Sequence, residues 1–496
     1  MQEVPFLALT VSLAAAAAGC SHPPLAAADL IVTHAAIWTG DASHPEAEAL
    51  AVIGDRIVDV GSAAEIDRWR SPRTQVIDAQ GRRILPGFND AHVHFAAGGT
   101  QLASVDLRDA PSEAEFARRI IERARNRPGA WVTGGQWSER RWTPAELPTR
   151  HLIDDGTNGT PVFVRSADGR MALANAAALG RAGITERSRD PVGGTIVRDA
   201  AGLPTGLLTG TAMDGVARVI PRATDAERRE TAIRALNHAA SLGVTSVADM
   251  NPDPDDVSVY ADLAARGLLT TRILAIPIQT AGFEQAPPGI RRGFESPWLR
   301  PGGVSGDATG AADQLRRLMA ADRAGLQVCL NAGEGRTGVA LALLASIVRA
   351  NGERDRRFRI EHAETSTDSE ADRFASMQAV ASVQLAAGGA DALKRFENRR
   401  VHTAIGSDWP SGSLDPMIGL ARAASRVPIA VAVAAYTNGS AFAEYQETAK
   451  GTLARGMLAD LVLLSDDILS MPADRVASVA VLTTIAGGQV VHQRRP

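Results

Sequence analysis

The sequence predicts an α/β fold built on a distorted (β/α)8 barrel, and three observations predict it. Through the middle of the 496-residue chain, short apolar runs of strand character alternate with helix-like stretches, the pattern of parallel strands joined by crossover helices. The spacing of these runs is that of barrel units. Two histidines, His92 and His94, stand where the first apolar run ends, at the position where such barrels carry their chemistry.

Taken in order, the chain opens with a targeting segment. Residues 6–19 are apolar and alanine-rich, too short for a transmembrane helix, and end in Ala17-Ala18-Gly19-Cys20. That ending resembles a bacterial lipoprotein cleavage box, in which Cys20 becomes the lipidated N-terminus, and Ser21 suits the outer membrane. Residues 1–28 are therefore expected to direct the protein to the bacterial cell envelope as an outer-membrane lipoprotein facing the periplasm. The alternative is cleavage after Ala28, leaving a periplasmic protein that starts at Asp29. With Cys20 consumed by lipidation, Cys329 has no partner for an intramolecular disulfide. It lies in an apolar run and is expected to be a buried, inert thiol.

Residues 30–32, 35–38, 49–52 and 56–61 have strand character, with Gly54-Asp55 as a hairpin turn. Residues 456–464 and 490–492 match them in style at the other end. Between these ends, strands are expected at 130–134, 162–164, 244–247, 272–275, 327–330, 358–362 and 401–406, and helices at 113–127, 225–242, 311–324 and 338–350. Hydrophobic residues at 45% and charged residues at 22% are ordinary globular values. A net charge of −4 gives no basis for a nucleic acid or an anionic membrane surface as partner. The membrane enters only through the N-terminal lipid, and the expected partner is a small-molecule substrate.

In a strand, residues i and i+2 share a face. His92 and His94 therefore present both imidazoles to one side, with Val93 turned opposite, and such a pair can grip one divalent ion. Neutral imidazole is a good donor for zinc or iron.

Around that pair, Leu85 to His94 reads Leu-Pro-Gly-Phe-Asn-Asp-Ala-His-Val-His and resembles the first barrel strand of the amidohydrolase superfamily. Lys450 to Leu461 is similar to the closing segment of that family, and Asp190 to Asp199 resembles a segment of its YtcJ-like branch. The resemblance implies a TIM barrel over residues 87–436 with an inserted subdomain near 135–220. It also implies that residues 29–86 and 437–496 pair into one small β-sandwich. His362, in Ile-Glu-His-Ala, resembles a family histidine, and Asp408, in Gly-Ser-Asp-Trp-Pro, resembles the aspartate of the last barrel strand. In this scheme His92, His94, His362 and Asp408 hold the metal. Asp408 passes a proton from water to the leaving amine, and His362 binds the metal or hydrogen-bonds the nucleophile.

Three positions depart from the family pattern. Asn331 stands in place of a histidine, Ser305 in place of a metal-bridging lysine, and Arg170 in place of a substrate-side histidine. The chain has only two lysines, Lys394 and Lys450, neither near Ser305, so a two-metal bridge on a carbamylated lysine is excluded. The four remaining ligands suffice for one divalent ion, zinc, which takes about three protein ligands and a water. Asn331 and Arg170 are expected on the substrate side, Arg170 steering a carboxylate through a bidentate contact, with Glu334 as a substitute ligand. The segment 384–401 is shorter than the loop of relatives, which opens the pocket. The expected activity is metal-dependent hydrolysis of carbon–nitrogen bonds, other than peptide bonds, in a small amide-like substrate. The alternative is a degenerate barrel that binds a ligand or metal without turnover.

Overall fold

The computed structural model describes residues 27–277, 296–333 and 335–494, so Cys20 and Glu334 lie outside the described residues. Among the described residues, no helix is long and apolar enough to cross a membrane. Every residue of the Phe88–Val93 strand is buried, as expected for a parallel strand covered on both faces. It pairs in parallel with Val244–Met250, which pairs with Arg272–Ile276, which pairs with Leu299–Pro301. A second parallel sheet runs, in spatial order, Val304–Asp307, Val328–Asn331, Arg359–Glu361, Val380–Gln384 and Thr403–Gly406. Among the described residues, backbone hydrogen bonds join the two sheets at both edges. At one junction the Asp408 amide donates to the His92 carbonyl at 2.8 Å, and Val93 bridges Trp409 in parallel. At the other the Ser305 amide donates to the Pro277 carbonyl at 2.9 Å.

Helices carry the chain between strands, and their starts are set locally. Asp225–Ser241 opens on a capping box: the Thr224 side chain accepts from the Glu227 amide, and the Glu227 side chain accepts from the Thr224 amide. Two donors of the first turn are satisfied in this way, and Thr367 with Glu370 does the same for Asp368–Met377. On the inner face of Asp225–Ser241, Ala235, Leu236 and Ala239 join one buried cluster with Phe88, Val93 and Phe95. A side chain such as Leu236 contributes about 1.5–3 kcal/mol there. The helices expected at 225–242, 311–324 and 338–350 appear as Asp225–Ser241, Ala312–Arg323 and Thr337–Asn351. The segment 384–401 holds the helix Gly389–Glu397 rather than a bare loop.

The two chain ends meet. Arg83–Pro86 pairs antiparallel with Leu461–Leu464 in a six-stranded sheet, and a four-stranded sheet from the N-terminal part lies against it. Leu30, Val32, Leu50 and Ile57 of the smaller sheet share a core with Ile37, Ile84, Leu461 and Ile485 of the larger. Gly54 and Asp55 form the turn between Ala49–Ile53 and Arg56–Gly61, with Gly54 at φ +58°. A buried Arg272–Asp460 pair, with Nε to Oδ2 at 2.7 Å, ties the C-terminal part to the parallel strand Arg272–Ile276.

The inserted unit differs from expectation. The runs at 130–134 and 162–164 do form strands, Val132–Trp137 and Val162–Ser166, but not in the parallel series around the histidines. They belong to a separate six-stranded mixed sheet with Val105–Asp106, Met171–Ala174, Gly194–Arg198 and Pro204–Gly210. The sheet of the insert thus begins at Val105, ahead of residue 135. Apolar periodicity identifies a strand but not its neighbour, which the register of distant residues decides.

Candidate metal centre

His92 is buried, and its Nδ1 lies 2.9 Å from Glu361 Oε2. Glu361 Oε1 accepts from Arg359 Nε at 2.9 Å, and Arg359 Nη2 donates to the Ala91 carbonyl at 2.6 Å. Burial alone would raise the Glu361 carboxyl, but the Arg359 guanidinium and His92 bring it down to about 2. An ionised carboxylate only accepts, so His92 Nδ1 carries the hydrogen and Nε2 presents a lone pair. His94 reaches the same state by another route. It caps the helix Phe95–Ala103, and its Nδ1 lies 2.9 Å from the Met250 carbonyl oxygen. That oxygen can only accept, which leaves His94 Nε2 without a hydrogen when the ring is neutral.

Both bare nitrogens face one carboxylate. His92 Nε2 and His94 Nε2 each lie 3.5 Å from Asp408 Oδ1. The His362 ring stands 4.8 Å from that of His92, centroid to centroid. His92, His362 and Asp408 bring one ligand atom each within 4.8 Å of the others, the only group of three or more such side chains among the described residues. Lone pairs converging on one point repel unless a cation or a proton joins them. Ligands about 2.1 Å from a tetrahedral ion stand about 3.4 Å apart, so the two 3.5 Å separations and the nitrogen–oxygen donor set fit a divalent ion such as zinc, while the group of His92, His362 and Asp408 spans up to 4.8 Å and does not include His94.

The charges point the same way. Asp408, which accepts from Nε2 when the His94 ring is protonated, raises the pKa of His94. Burial works to raise Asp408, but His94, His92 and His362 outweigh it and hold the carboxyl below its usual range. Burial pushes His92 down, against the pull of Glu361.

Two further buried carboxyls fix the backbone. Asp90 Oδ1 accepts from the amides of Ser407 and His92 at 2.9 and 3.1 Å, and Oδ2 accepts from the Tyr436 hydroxyl at 3.0 Å. Asp249 accepts from the Phe95 amide at 2.8 Å and from the Tyr260 hydroxyl at 2.9 Å. Burial pushes Asp90 up to about 6 and Asp249 up to about 7. His362 and Asp408 both turn through the left-handed region, at φ 57° and 55°. The surrounding bonds hold that uncommon conformation.

A model of the Amidohydrolase family matches residues 75–492. The chain is a member of the amidohydrolase family. Protein LONG AFTER FAR-RED 3 of Arabidopsis thaliana is 33% identical, over 94% of this chain and 92% of its own length. N-substituted formamide deformylase of Arthrobacter pascens is 26% identical, over 94% of this chain and 98% of its own. A solved metal-dependent hydrolase from Pyrococcus furiosus, itself uncharacterized, shares the fold with a TM-score of 0.69 at 21% identity, covering 89% of this chain and 100% of that one.

In this amidohydrolase two of the three departing positions, Asn331 and Ser305, carry neutral side chains, and the third, Arg170, is exposed. Asn331 ends its strand half-buried, with Oδ1 accepting from the Gly333 amide at 2.9 Å. The Ser305 hydroxyl is engaged with the Asn251 carboxamide and lies 3.1 Å from the Pro277 carbonyl oxygen. Arg170 is exposed in the turn between Val162–Ser166 and Met171–Ala174, where its amide donates to Asp168 Oδ1 at 3.0 Å. His238 packs on Trp409, and His402 stacks on Phe442 at 3.8 Å. Cys329 is a free, buried thiol pushed up to about 12 by burial. Sequence reasoning missed Arg359, Glu361, Asp90 and Asp249 as site residues. The signal was available: charged residues inside apolar runs are buried only when paired.

Proposed function

We propose that this amidohydrolase cleaves a carbon–nitrogen bond, other than a peptide bond, in a small amide, using one divalent ion held by His92, His94, His362 and Asp408. We further propose that the two parallel sheets are one distorted (β/α)8 barrel, closed at the Asp408–His92 and Ser305–Pro277 junctions. The observation that carries the reading is the pair of imidazole nitrogens aimed at a single carboxylate oxygen, 3.5 Å from each.

When bound, the ion supplies Lewis acidity, bringing the pKa of a water toward about 7 and polarising the substrate carbonyl. Asp408 does the proton work. Its carboxyl is held ionised below the usual range, so it can accept a proton from the attacking water and return it to the leaving nitrogen. Arg359 and Glu361 keep His92 in one tautomer and one orientation throughout.

The relative named for deformylating N-substituted formamides supports formamides as the first substrates to try. Protein purified with zinc present is expected to hold about one equivalent and to release formate from N-butylformamide. His92→Ala and Asp408→Asn are expected to abolish both. Protein that stays metal-free under zinc would sink the reading. The neutral residues at 331 and 305 favour a second one, a barrel that binds without turnover, and it predicts zinc uptake with no hydrolysis across a panel of acyl amides. We also propose that the segment ending in Cys20 exports and lipidates the protein at the bacterial envelope. Palmitate labelling lost in Cys20→Ala would support that, and a mature mass starting at Asp29 would refute it.

A further inference from the structure

We propose that Asn331 is a substrate-binding donor, its Nδ2–H bonding the carbonyl oxygen of the scissile amide. The inference rests on the hydrolase reading above and assigns a role to the side of the site where a histidine is missing. Asn331 lies two residues beyond Cys329 on one strand, so both side chains leave the same face. Cys329 is buried with Ala248, Met250, Leu274 and Ile276 of two strands of the other parallel sheet, Val244–Met250 and Arg272–Ile276, and its thiol lies close enough to feel the charges of Arg359 and Glu361. That is the inner face. Asn331 emerges from it one layer nearer the strand ends, in register with Glu361, whose carboxylate holds His92.

The carboxamide of Asn331 has one orientation open to it. A backbone N–H can be met only by the oxygen, and the Gly333 amide takes Oδ1 at 2.9 Å. Nδ2 is thereby turned away from the turn, and its two hydrogens meet no acceptor among the described residues. Asn331 is only half-buried, so a small molecule at the strand ends can reach it. An amide N–H adds little as a metal ligand, but it is the right partner for a carbonyl oxygen that gains negative charge as water adds. Ser305 cannot take this part, because its hydroxyl is already held between Asn251 and Pro277.

Two variants separate the donor from the turn. Asn331→Asp keeps an acceptor for Gly333 and removes the donor, whereas Asn331→Ala removes both. In zinc-loaded protein each variant should lower kcat on N-butylformamide about 10²- to 10³-fold, with zinc stoichiometry unchanged. In zinc-free protein, the infrared carbonyl stretch of bound 13C-labelled N-butylformamide should lie higher in Asn331→Asp than in the parent. An unchanged kcat, an unchanged stretch, or no bound carbonyl band in the parent overturns the proposal. A parent that takes up no zinc, or hydrolyses neither N-butylformamide nor any of a panel of acyl amides, overturns the hydrolase reading instead, and the infrared comparison still decides the role of Asn331.

Discussion

Replacing Glu361 by glutamine removes a charge and almost no volume, which makes it a sharp probe of how His92 is held. The glutamine oxygen can accept from His92 Nδ1 only if its amino group meets the Arg359 Nε–H, donor against donor. In the flipped orientation the amino group faces His92 and forces the hydrogen onto Nε2, the atom aimed at Asp408. In both cases Arg359, whose side chain is fully buried, loses its countercharge. Breaking such a pair costs about 3–5 kcal/mol. Proton linkage gives a similar figure: a shift from 4.5 to about 2 for Glu361 corresponds to about 3 kcal/mol. Because the folded pKa is depressed, this stability is fully present above pH about 4.5 and is lost as pH falls toward about 2. Glu361→Gln should therefore unfold at lower urea than the parent at pH 7, with the gap narrowing below pH about 4.5. Zinc affinity, measured by competition with a chromophoric chelator, should fall about 10- to 100-fold, the usual effect of losing the carboxylate behind a ligand histidine. Adding Arg359→Met should restore the urea midpoint without restoring zinc affinity. A Glu361→Gln protein with parental zinc affinity and parental midpoint would refute the reasoning.

Three other outcomes follow from the same contacts. A proton and a metal compete for His94, whose pKa is raised by Asp408, so chelator competition should show zinc affinity beginning to fall above the ordinary histidine range and falling further as pH drops through it. The buried Asp322 carboxylate accepts from Arg354, Arg356 and Asn351 at 2.7–2.8 Å. Asp322→Ala strands the buried Arg356 and should cost about 3–5 kcal/mol in urea unfolding while leaving zinc affinity at the parental value. Asp249 has a raised folded pKa of about 7, so its contribution to stability declines as pH climbs from about 4 to about 7. Asp249→Asn should accordingly raise the melting temperature of zinc-free protein more at pH 8 than at pH 5, and an equal change at both would count against the raised value.

What was legible in the sequence was whatever nearby residues decide. Asp225–Ser241 could be placed to within a residue because Thr224 and Glu227 write its start into four consecutive positions. Val304–Asp307 and Val380–Gln384 were not anticipated: four and five residues long, the first carries a serine, a glycine and an aspartate and the second a serine and a glutamine rather than an unbroken apolar run, and only their neighbours in the sheet make them strands. Of the six strands in the insert sheet, two were anticipated, and the run at 130–134 was expected outside the insert for the same reason, since pairing is decided by partners that a local window does not contain.

The site divides along the same line. His92 and His94 stand out as an i, i+2 imidazole pair at a strand end, and His362 and Asp408 through the resemblance of their flanking residues to the family. What makes them a plausible ligand set is not in those residues. The tautomer of His92 is chosen by Glu361, 269 positions away, and that of His94 by the carbonyl of Met250, 156 positions away. Glu361 in turn stays ionised in a buried place because Arg359 shares its strand and its face. Arg359 and Glu361 sit next to the motif histidine His362 and read as its flank, yet the carboxylate is spent on a different histidine in a different strand. A motif of contiguous letters thus conceals two functions, one side chain offered to the shared centre and its neighbour reaching across to set the protonation of another ligand, and only the register between Arg359–Glu361 and the strands beside it separates them.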